Sequence, residues 1–177
     1  MEVQIAPMTT AAIFQLHLVS GYVAWGLCFA AYVVPWLRSL GRDEAFRAMA
    51  TLHGFRFFGL AFIVPGVVGP GLPENFARFA ALGDLATGVL ALLALATFRI
   101  RPLFWTFVVA FNVVGVVDLL FDYAHAMQVH LPEHAGQLGG LYAIPVLYVP
   151  ALMISHGLAF YWLLRGRPAA AIAGQHA

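Results

Sequence analysis

Apolar residues run almost unbroken along this chain, interrupted at short intervals by polar clusters. Five of the runs approach the roughly 20 residues that a helix needs to cross a bilayer: Ile13 to Leu37, Phe55 to Leu72, Ala77 to Phe98, Leu103 to Tyr123 and Gly139 to Leu164. The gaps hold no soluble domain. The pattern therefore predicts an all-α integral membrane protein, a single five-helix transmembrane bundle over residues 1–168. The Ala-rich end, 169–177, is expected to be a disordered cytoplasmic tail.

Helix 1 carries a seam of His17, Gly21, Ala24, Cys28, Ala31 and Pro35 at alternating spacings of four and three. Small residues so spaced let a neighbouring backbone approach, which predicts that His17 faces a partner helix. From Gly41 to His53, Phe46, Met49 and Leu52 oppose Arg42, Asp43, Glu44 and Arg47. That predicts an interfacial helix between helices 1 and 2, or a cytosolic extension of helix 2. Helix 2 runs into VPGVVGPGLPENF and helix 5 contains Pro145 and Pro150. Both outer halves should be broken, which membrane depth tolerates only in protein or beside a wet cavity.

Composition agrees with a membrane class: 62% of residues are hydrophobic, 10% are charged, and mean hydropathy is +0.86. All nine basic residues are Arg, a usage that points to a GC-rich bacterial genome and so to the inner (plasma) membrane. Residues 1 to 16 contain no basic residue, so the first run is expected to be a retained span rather than a signal peptide. Arg38, Arg42, Arg47, Arg56, Arg99, Arg101, Arg165 and Arg167 alternate with the runs so as to share one side, leaving Arg78 on the other. Basic residues stay cytoplasmic, which places the N-terminus outside and the C-terminus inside. A net charge of +1 gives no field for nucleic acid, and the single cysteine, Cys28, excludes an internal disulfide or a cysteine-based metal cluster.

Candidate chemistry concentrates in FNVVGVVDLLFDYAHAMQVHLPEH, residues 111–134. Asp118, Asp122 and His125 fall on one helical face, and with His17 they form a candidate divalent-metal set of carboxylate and imidazole donors. His130, Glu133 and His134 lie close enough in sequence to complete it. Asp84 is the acid placed deepest by its distance from the flanking polar residues, and an intramembrane acid is a candidate functional group. Asn112, mid-helix, suits an interhelical hydrogen bond. Arg56 reads as an interface residue able to hold an anionic headgroup, and His156 as a hydrogen-bonded interior histidine. The candidate ligand-binding residues are thus His17, Asp84, Asp118, Asp122, His125, Arg56 and His156.

The leading expectation is a periplasm-facing polar cavity that binds or conducts a small ligand, a proton or a cation. A second reading is a haem- or metal-binding subunit. By estimated depth His17 and His125 match as axial ligands for one haem b, whereas His53 and His156 differ by roughly 15 Å along the rise per residue. Others are a membrane enzyme acting on a lipid-like substrate, although no nucleophile motif or H-E-x-x-H is present, and an accessory subunit of a larger membrane complex or a homo-oligomer.

Overall fold

The computed structural model describes residues 7–165, so Arg167 and the expected tail lie outside the described residues. The described chain is helical, with no strand among its residues. Four helices are long and apolar enough to cross a membrane: α1 (Thr10–Ser39), α3 (Glu74–Ala96), α4 (Arg101–Gln128) and α5 (Ile144–Arg165). The fifth predicted span takes a different form. Helix α2 (Arg42–Gly54) passes directly into a 3-10 helix, Phe55–Ile63, and beyond it residues 64–73 form turns. Pro65, Pro70 and Pro73 with their glycines end regular helix there, because proline has no N–H and glycine favours turns.

Helix α1 begins at Thr9, whose Oγ1 accepts from the Ala12 amide at 3.2 Å. It contains a π turn, Phe29–Val33, in which the Val34 amide reaches back to Phe29 O. The cause is Pro35, which cannot donate to the preceding turn. An equivalent π turn, Ile144–Tyr148, precedes Pro150 in α5. The buried face of α1 differs from the predicted seam on both sides of the Phe29–Val33 turn. Phe14, Gly21, Phe29 and Leu37 are buried, whereas His17, Ala24, Ala31 and Pro35 of the predicted seam are exposed. Aromatic packing set the face; of the seam, Gly21 is buried, and His17, though exposed, meets Tyr142 as expected of a residue facing a partner. A Cβ at Gly21 would overlap Val146 O of α5, a carbonyl left without its usual helical donor because Pro150 stands four residues on. The neighbouring Leu147 O accepts from Trp25 Nε1 at 2.7 Å.

The predicted surface helix is instead a core element. Ala45, Phe46, Met49, Ala50 and His53 of α2 are buried, and Phe46 packs edge-on against Trp105 and Trp162. Two apolar clusters result. One gathers Phe46, Phe104, Val108, Phe111 and Trp162 at the arginine-rich end, and the other gathers Phe14, Phe62, Phe76, Leu138 and Ile144 at the opposite end. The turns there are held by Gln137, whose carbonyl accepts from the Gly69 amide at 2.7 Å and whose Oε1 accepts from the Gly71 amide at 3.0 Å.

Candidate functional site

Between the two apolar clusters, α2 with its 3-10 extension, α3, α4 and α5 each contribute buried polar groups: His53 and Arg56, Asp84 and Thr87, Asn112 and Asp118, and Ser155 and His156. Arg56 is the centre. Its Nε donates to Asp84 Oδ1 at 2.6 Å, its Nη2 donates to Asp118 Oδ2, and its Nη1 donates to Gly115 O at 3.3 Å. Both ion pairs are almost fully removed from solvent. A buried charge is tolerated only when paired and hydrogen-bonded, and this guanidinium has a partner on each of its three nitrogens.

Glycine makes room for the charges. A Cβ at Gly59 would overlap the Asp84 carboxylate, and one at Gly83 would overlap that of Asp118. Gly115 accommodates the His156 ring, whose Nε2 lies 2.5 Å from the place a Cβ would take. Gly88 lets the 3-10 backbone approach α3, with the Phe57 amide nitrogen 3.0 Å from a Cβ position there. Where α passes into 3-10 at Phe55, Leu52 O accepts from the Phe55 amide and also from Tyr148 Oη at 2.8 Å.

Toward the arginine-rich end lies a histidine pair. The rings of His53 and His156 stack at 4.0 Å between centroids. Asn112 Nδ2 donates to Val108 O at 2.8 Å, so its Oδ1 is the acceptor facing His156 Nδ1 at 2.9 Å, which makes His156 the Nδ1–H tautomer. Ser155 Oγ donates to Leu152 O at 3.1 Å and therefore accepts from His53 Nε2 at 2.7 Å. Toward the opposite end the charges border a cavity of about 260 Å³, walled mainly by apolar residues including Phe14, Phe62, Ala80, Leu138 and Val149. Asp84, Asp122, Tyr123 and Gln15 supply its polar lining.

These positions correct several expectations. Arg56 is fully buried rather than interfacial, because α2 begins at Arg42 and carries it about 20 Å into the bundle at 1.5 Å per residue. The same shift brings His53 level with His156, and their stacked faces leave no room for a haem between them. The proposed metal set does not assemble: among the described residues no group of three or more His, Cys, Asp or Glu is arranged to hold a metal. His17 Nδ1 is hydrogen-bonded to Tyr142 Oη at 2.8 Å, Asp118 is taken by Arg56, and His125 packs edge-on against Phe76 and Phe79. His130 and Glu133 are exposed in the following turn, and His134 Nδ1 lies 3.1 Å from His130 O. The haem pair of His17 and His125 fails for the same reasons, each ring being engaged by a different neighbour. Asp122 does face the cavity, and its Oδ1 is buried with no hydrogen-bond partner. Asn112 makes the interhelical bond its position suggests. Tyr123, whose Oη lies 2.7 Å from Tyr22 Oη, and Gln15 carried no sequence signal.

No curated protein and no solved structure matches the chain. A family model does: the one described as Domain of unknown function (DUF8737) matches residues 13–164, most of the chain, and the protein belongs to that family.

Proposed function

We propose that this protein is a membrane-embedded binding protein for a small apolar molecule, held in the cavity beside Asp84 and Asp122. The observation that carries the reading is the cavity itself. Its walls are apolar and carry two acids, as small-molecule sites combine hydrophobic lining with a few placed polar groups. Arg56 fixes Asp84, holding it and Asp118 from the side away from the ligand.

The reading includes five crossings in a bacterial inner membrane, the N-terminus outside and the C-terminus cytoplasmic, with the cavity toward the periplasm. Helix α2 with its 3-10 extension, 42–63, reaches about 37 Å by its rise per residue, enough for a hydrocarbon core of about 30 Å. The side of the arginines supports the orientation. A C-terminal reporter active only in the cytoplasm should be active; activity of a periplasm-only reporter instead would reverse the assignment.

Decanol binding to protein in zwitterionic nanodiscs tests the cavity. Saturable uptake by the wild type should be lost in Ala80→Leu, which fills the space from one wall, while the variant stays folded. Equal uptake by both proteins, or none by the wild type, would overturn the reading.

A further inference from the structure

We propose that the ligand is a cationic amphiphile, an apolar body ending in an ammonium group that Asp122 receives at the cavity wall. The inference rests on the cavity reading and adds the charge of the occupant. Asp84 and Asp118 pair with the one guanidinium of Arg56, and a third carboxylate, Asp122, stands one helical turn beyond Asp118 on the cavity wall. Arg56 spends its donors on Asp84, Asp118 and Gly115 O, leaving Asp122 outside the ion pairs. Asp122 Oδ1 has no hydrogen-bond partner although it is buried, and Asp122 lines the cavity. The cavity therefore carries a carboxylate that Arg56 does not neutralise.

An occupant that supplies N⁺–H donors pairs with the Asp122 carboxylate and offsets its negative charge in one step. An anionic amphiphile such as a fatty acid meets like charge, and a neutral alcohol gives one hydrogen bond without neutralising anything. The other polar side chains on the cavity, Tyr123 and Gln15, are uncharged. Tyr123 is engaged with Tyr22, so it leaves the acid free to select the ligand.

Calorimetry with decylamine, decanol and decanoate in zwitterionic nanodiscs, with empty discs as blank, separates the parts. In wild type, decylamine should bind about tenfold or more tightly than decanol, the scale of a charge-assisted hydrogen bond, and decanoate should bind weakest. Asp122→Asn keeps the shape and deletes the charge, so within that variant decylamine should bind no more tightly than decanol. Decanol binding with no amine preference overturns the charge proposal and spares the cavity. An amine preference that persists in Asp122→Asn also overturns it. Failure of all three to bind overturns the cavity reading, and this proposal with it.

Discussion

Arg56 and Asp84, on the 3-10 segment after α2 and on α3, meet through a 2.6 Å bond from Nε to Oδ1 in a layer that excludes solvent from both. Because Gly59 lies against the same carboxylate, the two elements pack closer than a Cβ at 59 would allow. Asp118 completes the arrangement from α4. One side chain thus ties three elements together and settles the height at which each sits.

Removing one member of this group should cost far more than removing all of it. Arg56→Met leaves two buried acids uncompensated and should destabilise the folded protein by about 3–5 kcal/mol. Arg56→Met combined with Asp84→Asn and Asp118→Asn should recover most of that loss. Unfolding from detergent micelles followed by circular dichroism reads both, and a triple variant no better than the single would mean the charges do more than balance one another.

Gly83→Ala should be among the most damaging single-methyl changes in the chain, because the new Cβ overlaps the Asp118 carboxylate and must displace it from Arg56. Gly26→Ala, in open space on α1, is its control and should be neutral or stabilising by up to about 1 kcal/mol. Comparable thermal midpoints for the two variants would contradict the packing described for α3 and α4.

Gly139 has φ 54° and ψ −133°, and a Cβ would come 3.2 Å from Val67 O. Gly139→Ala should lower stability by about 1–3 kcal/mol through backbone strain. The strain should also loosen the turns that Gln137 ties down, so amide exchange at Gly69 and Gly71 should speed up. Unchanged exchange there would separate the two segments mechanically.

Trp25→Phe keeps the ring body and deletes the bond to Leu147 O, with an expected loss of about 0.6–1.7 kcal/mol, the range for polar contacts between membrane helices. Pro150→Ala in the same background should reduce the loss, since the restored amide lets the π turn before it revert to regular helix and re-pair the freed carbonyls. A double-variant cycle by thermal unfolding gives the coupling directly, and purely additive effects would detach Trp25 from the turn.

The all-helical class, the positions of the four membrane-length apolar helices α1, α3, α4 and α5, and the breakdown of helix after Ile63 were legible in the sequence. They follow from local chemistry: run length against bilayer thickness, and proline and glycine against the helical hydrogen bond. Asp84 and Asn112 were legible as unusual for the same reason, being polar groups placed where water is absent. What needed the tertiary structure was depth and direction. Depth counted from the flanking arginines places Arg56 and His53 at the surface if 41–53 lies outside the bundle, and only the burial of Phe46 and Met49 carries them inward. The helical repeat put Asp118, Asp122 and His125 on one face, yet a face spans several neighbours. Asp118 meets an arginine, Asp122 a cavity and His125 two phenylalanines, according to which element packs at each height. Spacing along a helix gives the angle of a side chain, and only the packing of the other helices decides what stands opposite it.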